Sequence, residues 1–170
     1  MSRAVAEGLQ DKARLCDTCV KSSVPALLEL VESSDNASRR KAVIALESLM
    51  DNVINHDYVT RSGGIPALIS ALHSDDQIVS LHAAGTFHAL SQNISSSLQM
   101  VLEGAVLHML EVEKSTETWR LSLQALRNIW RQINRQDFRR MLHSVARVSS
   151  GSMNGIYTLL TTHLIYTQNF

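Results

Sequence analysis

The stretch SGGIPALISAL, residues 62–72, decides the fold, because almost the same phrase stands 41 residues earlier. There, Val24-Pro25-Ala26-Leu27-Leu28 matches Ile65-Pro66-Ala67-Leu68-Ile69. A Gly-Gly turn followed by Pro, and then by Leu at helical spacing, predicts the start of a helix. Two such starts at a fixed distance indicate an internal repeat.

A second phrase repeats in phase with the first. Ala42-Val43-Ile44-Ala45-Leu46 is followed by Ala83-Ala84-Gly85-Thr86-Phe87 and then by Ser122-Leu123-Gln124-Ala125-Leu126, at offsets of 41 and 39 residues. A third copy of the first phrase, Ala105-Val106-Leu107-His108-Met109, lacks the Pro. Two landmarks that share one period of about 40 residues predict three repeated units.

Each unit is predicted to contain three helices. A short helix ends at a Gly or Ser turn (57–62 and 98–103), a second helix opens near the Pro, and a longer third helix follows. Ser74 with Gln77 three residues later has the pattern of a capping box before the third helix. Leu123, Leu126, Trp130 and Ile133 recur at helical spacing, which predicts one apolar face.

Composition agrees with an all-helical chain. The 170 residues are 45% hydrophobic and only 5% aromatic, with seven Gly and two Pro, so turn formers are scarce. We expect small residues at Ala42, Ala83 and Ser122 to let neighbouring helices approach closely. No unit can bury its apolar face alone, so stability must come from stacking.

Charge is unevenly distributed, although the net charge is zero. Residues 1–117 hold nine Lys/Arg against fifteen Asp/Glu, whereas 118–147 hold seven Arg against Asp137 alone. Residues 148–170 carry no Asp, Glu, Lys or Arg. We expect this tail to fold back as a cap, to make an end-to-end contact or to dock a partner; a longer repeat array is the remaining alternative.

The period divides the chain into predicted segments: an N-terminal helix or cap (1–19), repeats at about 20–55, 56–95 and 96–136, a partial fourth repeat (137–148) and the uncharged tail (149–170). The N-terminus lacks the apolar run of a signal peptide, and no segment approaches the ~20 apolar residues of a membrane span. We therefore expect an intracellular, cytoplasmic protein without a membrane partner.

The segment GGIPALISALHSDDQIVSLHAAGTFHAL, residues 63–90, resembles an armadillo repeat, and the likeness extends over about residues 20–136. The resemblance implies an all-α, right-handed solenoid of about three three-helix repeats plus a partial fourth. It also implies a concave groove, lined by the third helices, that binds other proteins.

The armadillo proteins of nuclear import carry a Trp and, four residues later, an Asn that grips the bound peptide. By resemblance, the matching Trp positions here are Ile44, Gly85 and Gln124, and the matching Asn positions are Ser48, Ala89 and Asn128. Only Asn128 keeps the family residue. These six positions are the predicted lining of the groove.

Four arginines add a cationic stripe to the last third helix. Arg120, Arg127, Arg131 and Arg135 share its polar side with Gln124 and Asn128. Guanidinium groups bind carboxylates in two-point fashion, so the stripe predicts a partner with acidic segments, the alternative being a solvated helix face. The neutral chain and the lack of aromatic residues among these arginines disfavour nucleic acid.

Residues that could carry other chemistry do not form a recognisable site in the sequence. Cys16 and Cys19 have metal-knuckle spacing, but zinc needs four ligands and there is no second Cys pair. The seven His are scattered without a repeated metal spacing, and we expect His82 and His88 to be polar-face or interface residues. We therefore expect no catalytic residue, metal or cofactor, and no enzyme activity.

The predicted function is a non-enzymatic protein-binding scaffold. Residues 40–50 with 57–59 are somewhat similar to the armadillo subunits of ciliary radial spokes, which implies a structural subunit of a large axonemal assembly and a location in the cilium. The alternative is a soluble adaptor that binds peptide segments of partners in signalling or nuclear transport.

Overall fold

The structure, a computed structural model, describes residues 20–113 and 116–132. Within these ranges the chain contains helices and no strand. The helices are α1 (20–31), α2 (Asn36–Leu49), α3 (Ile54–Arg61), α4 (Gly64–Leu72), α5 (Gln77–Leu90), α6 (Ile94–Leu102), α7 (Ala105–Glu111) and α8 (Glu117–Gln132). The all-helical class predicted from the sequence is confirmed.

Helix lengths follow the predicted order of two short helices and one long helix. α3 and α4 have eight and nine residues, and α5 has 14. In the next unit, α6 and α7 have nine and seven residues, and α8 has 16. None of the helices in the described ranges is long and apolar enough to cross a membrane.

The long helices α2 and α5 begin at aspartates. Asp35 accepts hydrogen bonds from the amides of Ala37 and Ser38, and Asp76 accepts one from the amide of Ile78. Aspartate is a strong N-cap because its carboxylate satisfies amides that have no partner inside the helix. The capping box predicted at Ser74 and Gln77 was therefore wrong in register: α5 begins two residues later, and the Ser74 hydroxyl accepts from the amide of Asp76.

Glycines with positive φ separate the first and second helices of two units. Gly63 and Gly104 have φ of 79° and 80°, a left-handed conformation that costs other residues energy. Pro66 follows in the first turn of α4, as predicted. Pro25 instead lies inside the helix over 20–31, where Ser22 and Ser23 replace the glycine pair and the chain continues as helix.

Helices that hold the same place in successive predicted units contact each other. α5 contacts α2 on one side and α8 on the other, α3 contacts α6, and α4 contacts α7. One hydrophobic cluster runs from Val24 on α1 to Ile129 on α8. Ala42, Ala83 and Ser122 are all buried, as expected of small residues at close helix contacts.

Hydrogen bonds at the ends of the long helices repeat with the sequence period. His56 Nε2 donates to the carbonyl of Met50 over 2.9 Å. Ser97 Oγ donates to the carbonyl of Ser91 over 3.1 Å, and each residue of this pair stands 41 positions after its counterpart. Two different side chains thus cap the same carbonyl position after α2 and after α5. The predicted cap (1–19), fourth repeat (137–148) and tail (149–170) lie outside the described residues.

Candidate functional site

The residues predicted to line a groove fall on the three long helices α2, α5 and α8, which lie side by side with α5 in the centre. On α2, Ile44 and Ser48 are exposed. On α5, Gly85 is buried and Ala89 is half-buried. On α8, Arg120 and Arg131 are exposed, whereas Gln124, Arg127 and Asn128 are half-buried; Arg135 lies outside the described residues.

Gly85 is covered by a contact between α2 and α5. The Glu47 carboxylate of α2 is hydrogen-bonded to His82 Nδ1 of α5. A Cβ atom added at Gly85 would stand 1.8 Å from Glu47 Oε1, so the carboxylate occupies the space directly above the glycine. Gly85 therefore admits this interhelical contact and offers no side chain to a ligand.

The side chain of Asn128 is hydrogen-bonded within the protein. Its Nδ2 donates to Ser91 Oγ over 2.9 Å, and one turn later Gln132 Nε2 donates to the Ser91 carbonyl over 2.9 Å. The Ser91 carbonyl also accepts from Ser97 Oγ. The side chain that matches the peptide-gripping Asn of the armadillo family thus donates to a neighbouring unit.

The cationic stripe divides into two kinds of arginine. Arg120 Nε lies 2.8 Å from both carboxylate oxygens of Glu117, and this pairing raises the pKa of Arg120 while lowering that of Glu117. For Arg127 and Arg131, no carboxylate among residues 20–113 and 116–132 lies within ion-pair distance. Arg127 and Arg131 are therefore the cationic groups that this face offers to a ligand.

His88, expected from the sequence to be a polar-face or interface residue and not a groove residue, lies in the same region. It is half-buried on α5, and both desolvation and the nearby charge of Arg120 lower its pKa, against a smaller opposing effect of Glu47. The repeat period indicates this position, because His88 stands 41 residues after Glu47 and 39 residues before Arg127. We define the third-helix surface as Ile44, Ser48, His88, Ala89, Gln124, Arg127 and Arg131.

A second group of polar side chains lies between the second helices of successive units. His73, at the end of α4, has its Nε2 2.9 Å from Nδ1 of His108 on α7. His108 Nδ1 is in turn 3.5 Å from Glu111 Oε2. Spacing along the chain did not reveal this cluster, since His73 is 35 residues from His108, but the pair His108 and Glu111 at i, i+3 was visible in the sequence.

Comparisons with known proteins give a likeness of fold. No family model matches the chain, and no curated protein matches it. Among solved structures, a crystal structure of an engineered protein from the Northeast Structural Genomics Consortium is similar, with a TM-score of 0.62 and 24% sequence identity. The match covers 65% of this chain and 47% of the engineered one, so this chain corresponds to about half of that protein.

Proposed function

We propose that residues 20–132 form three armadillo-type units of a solenoid, and that the chain is a non-enzymatic scaffold that binds other proteins across the third-helix surface. The solenoid part is supported by the packing of α2, α5 and α8 in one row, together with the contacts of α3 with α6 and of α4 with α7. Repeated positive-φ glycines and repeated carbonyl caps at the same period support it further.

The single observation that carries the binding proposal is the state of Arg127 and Arg131. Both are at least partly accessible, they lie on one side of α8, and no carboxylate of the described residues neutralises them. A guanidinium group left without a carboxylate can form two-point hydrogen bonds to an Asp or Glu of a partner. We therefore assign an acidic protein segment as the ligand class.

The hydrophobic part of the third-helix surface supports a protein ligand rather than a free anion. The side chain of Ile44 is 40% exposed on α2, and Ala89 is half-exposed on α5. Apolar side chains beside arginines are typical of protein interfaces, where they exclude water from the charged contacts. An acidic segment with apolar residues next to its carboxylates fits this combination.

Binding of a fluorescein-labelled oligoglutamate peptide, followed by anisotropy, tests the ligand class. We expect measurable binding at low salt that weakens as salt is added, because the contacts are charge–charge contacts at the surface. Arg127→Glu and Arg131→Glu should each weaken binding by about tenfold, which corresponds to about 1.4 kcal/mol. Arg61→Glu, the same charge change on α3, is the matched control and should change affinity little.

Equal losses of peptide affinity in Arg61→Glu and Arg127→Glu would mean that binding depends only on the net charge of the chain. The third-helix surface would then have no specific role in binding. Peptide binding that is unchanged by all three charge-reversal substitutions would exclude a cationic binding site for the peptide. The helical content of each variant, measured by circular dichroism, separates a loss of binding from a loss of fold.

We propose further that the natural setting is a large assembly such as a ciliary radial spoke, on the strength of the sequence resemblance. Affinity purification from the native source, with the double variant R127E/R131E in parallel, tests this setting. Axonemal proteins that are retained by the unmodified chain and lost with the variant would support the spoke. Transport or signalling proteins with the same behaviour would favour the adaptor.

A further inference from the structure

We propose that His73, His108 and Glu111 form a zinc-binding site that links the second and third units. The three residues lie on neighbouring elements, since His73 caps the end of α4 and the other two lie on α7. One ligand atom from each residue can be chosen so that all of them lie within 4.8 Å of one another. Such a group can surround a single ion.

The distances fit zinc geometry. In a tetrahedral site with bond lengths of 2.0–2.1 Å, ligand atoms are about 3.3 Å apart. His73 Nε2 and His108 Nδ1 are 2.9 Å apart, and His108 Nδ1 and Glu111 Oε2 are 3.5 Å apart. Small side-chain rotations would therefore place an ion between these atoms without moving α4 or α7.

One nitrogen of each imidazole ring can bind the ion while the other nitrogen carries a proton. His73 would bind through Nε2 and keep its proton on Nδ1, whereas His108 would bind through Nδ1 and keep its proton on Nε2. The present hydrogen bond between the two rings needs a proton on one of the two facing nitrogens, so that proton must leave this nitrogen before the ion binds. The rings stand at 76° to each other, with centroids 5.0 Å apart.

The ligand set selects the kind of metal. Two imidazole nitrogens and one carboxylate oxygen suit Zn²⁺, whereas Mg²⁺ and Ca²⁺ prefer oxygen ligands alone. The His108 side chain is 41% exposed and that of Glu111 is 66% exposed, so water can reach the remaining coordination position. The chemistry is that of a zinc ion with three protein ligands and one open site.

The surroundings favour a cation. His73 and Glu111 also line a cleft of about 530 Å³ between the second and third units. Asp75, Glu113 and Glu117 line the same cleft, although Glu117 is paired with Arg120, and no Lys or Arg of residues 20–113 and 116–132 lines it. The carboxylates of Glu111 and Asp75 give this part of the cleft a negative potential, which raises the local concentration of divalent cations.

Isothermal titration of the metal-free full chain with zinc chloride tests the site. We expect one zinc ion per chain, with binding abolished in His73→Gln and His108→Gln and weakened at least about tenfold in Glu111→Gln. His82→Gln is the matched control, because His82 also contacts a carboxylate but belongs to no three-ligand group among the described residues. It should bind zinc as the unmodified chain does.

Cys16 and Cys19 are the rival zinc ligands in this chain, so the double variant C16S/C19S is titrated as well. Zinc binding that is retained in C16S/C19S supports the proposal. Zinc binding that is lost in C16S/C19S but retained in His108→Gln overturns the proposal. A titration with cobalt(II) in place of zinc shows independently which residues bind the metal. Thiolate ligands produce a strong near-ultraviolet charge-transfer band, whereas imidazole and carboxylate ligands do not.

Thermal unfolding measures how zinc binding changes the stability of the fold. Zinc bound across α4 and α7 should raise the Tm by several degrees at saturation, because it binds only the folded arrangement. The rise should vanish in Glu111→Gln, and because this side chain is exposed the helical content of the variant, checked by circular dichroism, should equal that of the unmodified chain. An equal rise in the unmodified chain and in Glu111→Gln would contradict the site, as would no rise in either.

Discussion

Arg40 Nε of α2 lies 2.6 Å from Oδ2 of Asp76, the residue that caps the N-terminus of α5. The other carboxylate oxygen, Oδ1, accepts from the amide of Ile78 over 3.0 Å. One carboxylate therefore starts a helix in the second unit and binds the preceding unit to it. The Asp76 side chain is only 7% exposed, whereas that of Arg40 is 49% exposed.

We predict that Asp76→Asn destabilises the chain more than Asp35→Asn. Asn still caps a helix, so both substitutions preserve the cap and remove a charge. Only Asp76, however, is paired with an arginine of another unit. Urea denaturation followed by circular dichroism measures the difference, and equal losses would show that the pair with Arg40 contributes nothing to stability.

The pair of Arg40 and Asp76 should also make the stability of the chain depend on pH in the acid range. The hydrogen bond from Arg40 holds the pKa of Asp76 below its ordinary value of 3.8, so the stabilisation is present above that value and is lost as pH falls through the folded-state pKa. Arg40→Gln should therefore be less stable than the unmodified chain at pH 6, and the difference should shrink below about pH 3.8. A difference that is constant with pH would contradict this assignment.

His88 should make stability depend on pH in a different range. Desolvation and the charge of Arg120 lower its pKa from 6.5, so the unfolded chain binds a proton more readily than the folded one. The unfolding free energy should fall as pH drops below about 6.5, and His88→Gln should reduce that slope. Arg120→Gln should reduce it in part; an unchanged slope in both variants would exclude His88 as the cause.

The two adjacent glycines at the start of α4 should respond differently to substitution. A Cβ at Gly64 would stand 2.5 Å from Val59 Cγ1 and 2.6 Å from the Val59 carbonyl oxygen, so Gly64→Ala should cost about 1–3 kcal/mol through overpacking against the backbone. At Gly63 there is space but φ is 79°, so Gly63→Ala should cost about 1–2 kcal/mol.

Asparagine separates these two causes, because it tolerates left-handed conformations. Gly63→Asn should recover part of the stability lost in Gly63→Ala, whereas Gly64→Asn should be at least as unstable as Gly64→Ala. Thermal unfolding of the four variants is sufficient to check the order.

Asn128 should affect stability and not ligand binding. Its substitution by Ala removes the hydrogen bond to Ser91 Oγ and should cost about 1 kcal/mol. The affinity for the oligoglutamate peptide should stay within about twofold of the unmodified chain, in contrast to Arg127→Glu. A tenfold loss in folded Asn128→Ala would restore the peptide-gripping role that the resemblance implies.

Core packing between units predicts a large cost at Phe87. This side chain is completely buried on α5, the helix that contacts both α2 and α8. Phe87→Ala should cost about 3–5 kcal/mol through lost burial and the remaining cavity. Leu102→Ala, at a side chain that is 66% exposed, should stay within about 0.5 kcal/mol, and similar losses at both sites would contradict this packing.

Much of the fold could be predicted because each helix start and stop depends on neighbouring residues in the chain. Pro66 with its glycine pair marks α4, and the small residues Ala42, Ala83 and Ser122 mark buried helix contacts. The cap of α5 was misplaced by two residues, because Ser74 and Asp76 are both good caps and only the final backbone decides which carboxylate or hydroxyl meets the free amides.

The candidate site was less predictable, since exposure depends on what the neighbouring unit places above a residue. Nothing near Gly85 in the chain indicates that Glu47 would cover it, and nothing near Asn128 indicates that Ser91 would accept its hydrogen bond. Both partners are about 40 residues away, and their position follows from how one unit rests on the next.

The amino-acid sequence by itself therefore determined the helices and their period, because hydrophobic spacing, caps and glycine turns act over a few residues. Only the tertiary structure decided that Glu47 covers Gly85, that Ser91 accepts a hydrogen bond from Asn128, and that His73 lies against His108 of the next unit. Those outcomes depend on distances between side chains that the packing of separate units brings together.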